Sequence, residues 1–353
     1  MRKVLPGLII IALTAALFAI GGKRLYSFVF QKVKTELEEQ YANSLDSNFR
    51  SEPLQSRVLV PCDNEDLLRY MSVKRRRIPG LKGGTITPEL KNKVLALIER
   101  WPEGLKRYFQ THVRNVFIVQ NLGASGYVVT HDNVSFTILI DESILSMTPN
   151  DWFQRKEGTV VDLNDEEFKL KHRMEDDAFN VSERLVEDVL IHELGHCVGV
   201  SEGLTTAFYG ESQTHSYSGL FDGVFKLPAV RMRMREDIRK TFPKLKYYSS
   251  EPQLNPKEYI DLLDKLKDSE FPSLYATVSD LEFFAEYFFS YVHCHLQQRP
   301  LSYTMVHDQD TVGHLRTPLF EARNSERFEF VQSVINTLQI DSVYGPNYSM
   351  SEN

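Results

Sequence analysis

Hydrophobic residues are spread unevenly along this chain, and their spacing divides it into three stretches. The first is a charge-free, largely apolar run from Leu8 to Ile20, extended by Val4 and Leu5. Arg2 and Lys3 precede it, and Lys23 and Arg24 follow it. Its length suits the hydrophobic part of a signal peptide, with Ala19-Ile20-Gly21 as small residues for cleavage. Val4 to Gly22 also just reaches membrane-spanning length. Residues 1–22 are therefore expected to be a signal peptide or membrane anchor, and the rest of the chain to be extracytoplasmic, secreted or membrane-anchored. An uncleaved segment would make the membrane a partner. The second stretch, residues 23–84, reads as an N-terminal or juxtamembrane segment. It holds a short charged helical pattern at Val33 to Gln40, polar residues around Pro53, and a basic cluster, Lys74-Arg75-Arg76-Arg77, best explained as a solvated loop. Ile78-Pro79-Gly80 and Gly83-Gly84 mark its end.

The third stretch, residues 85–353, carries the periodicities of a folded domain. Thr87 as N-cap and Pro88 in the first turn open a helix whose apolar face is Val94, Leu95, Leu97 and Ile98, and which ends near Trp101-Pro102. Val113 to Gln120, Tyr127 to Thr130 and Val134 to Ile140 read as strands, with Gly123 and Gly126 as turn residues between the first two. The alternation in Val134 to Ile140 puts one face of that strand on the core, and the strand is expected at the sheet edge beside the cleft, where an extended substrate would add to it. A long helix is expected from near Asn180, with Glu183 completing a capping-box-like start. Further helices are expected over Pro256 to Lys267, Asp280 to Leu296 and Phe328 to Leu338, while residues 203–250 show weak periodicity. The fold expected is α+β: a small mixed sheet packed on the long helix, then a mostly helical C-terminal part.

Composition narrows the function. The net charge of −7 lacks the basic surface that nucleic-acid binding needs. Three cysteines, Cys62, Cys197 and Cys294, make neither a disulfide scaffold nor a thiolate zinc knuckle.

The chemistry is concentrated in His192-Glu193-Leu194-Gly195-His196. Residues four apart share a helix face, so both histidines reach one ion, while Glu193, rotated by about 100°, stands beside it without ligating. That arrangement suits Zn2+ with Glu193 as general base toward a metal-activated water. Val189, Leu190, Ile191, Leu194, Cys197 and Val198 make the helix apolar nearly all round. Buried histidines and a buried glutamate need partners, which a metal supplies. A third ligand is required. Glu282 leads, because Glu282 and Glu286 sit four apart in an apolar helix where unpaired carboxylates are costly. One can bind metal while the other holds a histidine ring. Glu202 is the rival: it falls where a metzincin would place its third histidine, after Gly199, although Met232 and Met234 make poor Met-turn candidates. His215 is the third possibility. His293 reads as a satisfied core histidine and Cys197 as packing.

The pairing of the histidine motif with Tyr275-Ala276-Thr277-Val278-Ser279-Asp280-Leu281-Glu282-Phe283-Phe284-Ala285-Glu286 resembles the gluzincin metallopeptidases. It is similar to the lethal factor type of catalytic domain and to the Mlc titration factor peptidases. The resemblance covers about a tenth of the chain. It implies a zincin-like domain in which His192, His196 and Glu282 bind zinc, Glu193 is base and then acid, Tyr275 stabilises the oxyanion and Glu286 orients a ligand. The implied function is a zinc endopeptidase acting on a protein or peptide substrate. Against it stand a catalytically inactive, membrane-tethered zincin-fold binding protein and a zinc hydrolase of non-peptide bonds. One departure from the family is the interval of 86 positions between His196 and Glu282, long for such enzymes and read as carrying substrate-binding elements or a lid.

Overall fold

The computed structural model describes residues 49–63, 65, 67–68, 80–131, 134–164, 167–205, 225–226, 233–234, 236–320 and 324–344. The N-terminal apolar run, the pattern at 33–40, the basic cluster at 74–77, His215 and Met232 lie outside the described residues. Among the described residues no helix is long and apolar enough to cross a membrane.

The architecture is mixed α/β with a small mixed sheet. The chain enters through a helical turn, α1 (Leu54–Arg57), and β1 (Val60–Pro61), then β2 (Lys82–Gly83), α2 (Pro88–Ile98) and α3 (Glu103–His112). Next come β3 (Val113–Gln120), β4 (Gly126–Thr130), β5 (Phe136–Asp141), α4 (Pro149–Gly158), β6 (Phe168–Leu170) and the motif helix α5 (Ser182–Ser201). Beyond it lie the short pair β7 (Phe225–Lys226) and β8 (Arg233–Met234), α6 (Glu236–Thr241), α7 (Pro256–Lys267) and the glutamate helix α8 (Asp280–Ser290). The chain continues through a π-helical turn over Tyr291–Leu296, the hairpin β9 (Ser302–His307) and β10 (Asp310–Arg316), and α9 (Ser325–Tyr344).

Among the described residues ahead of Thr85, several belong to the core. Leu54, Val58 and Leu59 are buried in the main hydrophobic cluster, and β1 pairs in parallel with β3. Arg57, 1% exposed, donates to the carbonyls of Gln110, Val113 and Arg114. It thereby satisfies the Gln110 carbonyl, one of those that the end of α3 leaves orphaned, and ties it to the first residues of β3.

The main sheet runs β1-β3-β5-β4, with β2 also pairing β3. β5 is parallel to β3 and antiparallel to β4, so β4 forms the edge. The edge position expected for the 134–140 strand is therefore corrected. All six residues of β5 are buried, because its polar-looking positions face a second layer of packing. Alternation reports which face is apolar, and it does not report whether both faces are covered.

The motif helix packs against β4, α2 and α8. Its start differs from the capping box expected. The N-cap is Val181, with no side-chain cap, and the Asn180 side chain instead accepts from the Asn150 amide at 3.0 Å. The motif helix and α8 cross tightly inside the motif. A Cβ on Gly195 would stand 3.0 Å from Ala285 Cα and 3.1 Å from Phe288 Cβ. Gly195 and Ala285 let the two backbones approach closely enough for side chains one turn away to meet. The substitution Gly195→Val fills that crossing. It should destabilise the protein by about 1–3 kcal/mol through overpacking and lower metal content, as read by urea denaturation and metal analysis. Wild-type stability and metal content would show that the crossing does not set the site.

Candidate metal centre

The crossing brings together three atoms from two helices. His192 Nε2 lies 3.2 Å from Glu282 Oε2, and His196 Nε2 lies 3.4 Å from the same oxygen. One ligand atom from each of the three residues falls within 4.8 Å of the others. The two rings stand at 84°, with centroids 4.9 Å apart, so they approach a common point from different directions. Ligand bonds of about 2.0–2.2 Å in a tetrahedron separate ligand atoms by about 3.3–3.5 Å, which these spacings match. Two imidazole nitrogens and a carboxylate oxygen are a donor set for a divalent transition metal. Glu282 occupies the first turn of α8, where the Ser279 side chain accepts from its amide at 3.2 Å and fixes that turn.

Glu286, one turn on, holds the other side of His192. Its Oε1 lies 3.1 Å from His192 Nδ1. That contact leaves Nε2 for an ion, the usual role of an outer carboxylate. Glu286 is itself held by Ser273, whose hydroxyl donates to it at 2.6 Å, and by the buried Lys156 ammonium at 3.5 Å. Burial alone would raise the Glu286 carboxyl, but Lys156, His192 and Ser273 outweigh it and hold it at about 2. Burial likewise opposes ionisation of Glu282, and the two histidines pull it far below the usual carboxylate range. His192 is the counterpart: burial would lower it, while Glu282 and Glu286 push it up to about 10.

Glu193 points along another side of α5, is 5% exposed, and lies against the sheet edge. A Cβ on Gly126, at the start of β4, would stand 2.5 Å from Glu193 Oε1. This glycine gives the carboxylate its room. A cavity of about 600 Å3, counting its open mouth, connects His192 and Glu193 with Gly126, Tyr275 and Tyr248. The Tyr275 ring centroid is 6.0 Å from that of His192, and Lys156 Nζ sits 3.9 Å from the Tyr275 ring centroid. Burial holds the Tyr275 hydroxyl well above its ordinary value, so it stays a donor at neutral pH.

The structure thus brings together His192, His196, Glu282, Glu286, Glu193 and Tyr275. Glu202 is exposed at the C-cap of α5 and is not part of the ligand group. His293 is fully buried, with Asp188 Oδ1 at 3.1 Å and the Met174 and Pro300 carbonyls at 3.0 Å, as befits a satisfied core histidine. Cys197 is buried and not in a disulfide. Two site residues escaped the sequence reading. Lys156 is one basic residue among many, although Thr148-Pro149 could have revealed its helix, since Thr148 caps α4. Tyr248 carries no pattern at all. Compared with known proteins, the chain matches no family model, no curated protein and no solved structure.

Two measurements probe this centre. Glu282→Ala should lose most bound metal, because the ion loses its charged ligand, whereas Glu202→Ala should keep it. The reverse pattern in metal analysis would move the third ligand to Glu202. Metal uptake should also displace a proton from His192, which Glu282 and Glu286 keep protonated up to about pH 10. Calorimetric zinc titrations at pH 8 in buffers of different ionisation enthalpy should show about one proton released, and affinity should fall as pH drops. Zinc uptake without proton release would contradict the arrangement.

Proposed function

We propose that the protein is a zinc-dependent endopeptidase. The observation that carries this reading is the convergence of His192, His196 and Glu282 on one point, with Glu193 beside them against the sheet edge. The motif resemblance to gluzincins supports it on the same residues. Zinc, when bound, supplies the Lewis acidity that makes water a nucleophile near neutral pH and polarises a carbonyl.

The chain's own groups do the rest. Glu193 accepts the proton of the attacking water and later passes it to the leaving amine. Tyr275 donates to the oxygen that gains negative charge as the carbonyl becomes tetrahedral. Glu286 keeps His192 oriented, and Lys156 compensates the charge of Glu286. Among the described residues β4 pairs with β5 alone. Its other side offers backbone donors and acceptors along which an extended peptide can lie as an added strand, and Gly126 places such a strand next to Glu193.

The direct test uses an unbiased peptide library and two conservative variants. Glu193→Gln should keep fold and zinc but lose cleavage, because an amide cannot accept the proton. Tyr275→Phe should keep zinc while turnover falls by about one to three orders of magnitude, as for a lost oxyanion donor. Cleavage by Glu193→Gln at the parental rate would remove the mechanism. A zinc-loaded parent that cleaves nothing in the library would favour a binding protein that retains the metal.

A further inference from the structure

Tyr248 lies in the chain that returns from the motif helix toward the glutamate helix, and its φ is +58°. The left-handed region crowds any residue with a Cβ and is rare for bulky ones. Among the described residues, Leu59, Asn121, Gln298 and Asp308 share it. Asn and Asp tolerate it, Leu59 is locked in the core, and Gln298 sits on an exposed turn. Tyr248 alone of the five lines the cavity with His192 and Glu193.

The neighbours impose this conformation. The Tyr248 amide donates to Thr159 Oγ1 at 3.0 Å. The preceding residue, Tyr247, donates from its hydroxyl to Glu157 at 3.1 Å. Gln253 clasps Lys246 through both its amide and its carbonyl, each at 2.9 Å. Strain that is over-determined in this way, at the rim of a site, points to use of the side chain it presents. Tyr248 as a residue is 37% exposed, but its hydroxyl reaches inward to Ser125, the residue before β4. The separation from Ser125 Oγ is 3.4 Å, the limit of a hydrogen bond, and that oxygen already receives the Trp152 indole N–H at 2.7 Å. Among the described residues the contact with Ser125 is the one hydrogen bond of the Tyr248 hydroxyl, and it is long enough for an incoming acceptor to replace Ser125. Burial raises it above its ordinary value, so it remains a donor.

We propose that Tyr248 is a second catalytic hydroxyl, donating with Tyr275 to the substrate carbonyl oxygen as it gains charge. The proposal rests on the peptidase reading and adds a residue from the long interval that has no counterpart in the motif. Tyr248 and Tyr275 line the same cavity as His192 and Glu193, and the Tyr275 ring packs at 4.8 Å between centroids against Tyr247, the residue before Tyr248.

The test uses the full chain loaded with zinc, and with cobalt for spectroscopy. Tyr248→Phe removes only the hydroxyl. Tyr248→Asn removes the ring and puts a residue that tolerates positive φ in its place. Cleavage of the peptide library is measured together with binding of acetohydroxamate, a small metal-binding anion followed by the cobalt visible spectrum. The expected result for Tyr248→Phe is wild-type metal content and KM, with kcat lowered about tenfold to a hundredfold. Its acetohydroxamate Kd should rise about threefold to tenfold, as for one lost hydrogen bond. Tyr248→Asn should match or exceed the parent in denaturation midpoint while losing at least as much kcat. Parental kcat and acetohydroxamate affinity in Tyr248→Phe, with Tyr275→Phe impaired, would overturn the role of Tyr248 and leave the peptidase reading intact. A parent that binds metal and acetohydroxamate but cleaves nothing would overturn the peptidase reading and this inference with it.

Discussion

The site depends on how closely two helices can cross. Without a side chain at Gly195, and with only a methyl at Ala285, the backbones of α5 and α8 approach more closely than ordinary Cβ contacts allow. His192 and His196 bracket the crossing on one helix, and Glu282 and Glu286 bracket it on the other. The same contact therefore fixes both the three converging ligand atoms and the outer carboxylate on His192. Larger residues at either position would separate the axes by more than the few tenths of an ångström that a metal–ligand bond tolerates. The crossing sits amid Phe283, Phe284, Phe288 and Leu194, all essentially buried, so hydrophobic packing holds the polar groups in place.

That burial creates an electrostatic problem with two solutions. Glu282 and Glu286 are ionised in a place with little water, and Lys156 alone does not balance them. A proton on His192 meets the remaining negative charge, and a divalent ion bound to the same ring nitrogen meets it too. The two exclude each other, because imidazole ligates only when that nitrogen is unprotonated. For a site that holds a divalent ion, the contact of Glu286 with His192 would therefore make the affinity depend on pH. Lys156 limits the effect by holding part of the charge of Glu286 away from the ring.

Much of this was legible in the sequence where local pattern and final packing agree. Val113–Gln120 and Pro256–Lys267 form the strand and the helix expected over those same residues. The four-residue spacing in each helix placed His192, His196, Glu282 and Glu286 on matching faces. The failures are tertiary. The sequence puts the end of one helix near Trp101-Pro102, and Pro102 is the N-cap residue of the next. The hairpin β9–β10 passed unnoticed because its outer strand is mostly exposed. Which strand lies at the edge depends on how β5 inserts between β3 and β4, a long-range pairing that no local window contains. Lys156 gains its meaning only from the carboxylate it meets in the folded protein, and Tyr248 only from a backbone conformation that Tyr does not favour.

The long interval between His196 and Glu282 has a structural consequence of its own. After α6 the chain bridges Leu254 to Val161 and passes beside α4 before entering α8. Adjacent residues of α4 serve opposite sides of this passage. Lys156 faces Glu286, while Glu157 accepts the hydroxyls of Tyr247 at 3.1 Å and Tyr259 at 2.9 Å. Tyr259 in turn lies 3.0 Å from His172 Nε2, whose Nδ1 accepts from the Thr304 amide at 3.0 Å, so donors and acceptors close into one chain. Burial pushes the Glu157 carboxyl up to about 7 against the pull of Lys156 and the tyrosines, a measure of how little water reaches it. The helix α4 therefore ties Glu286 and His192 to the segment that carries Tyr248. A residue at the cavity mouth and a ligand-orienting carboxylate at its floor are positioned by neighbours on a single helical turn.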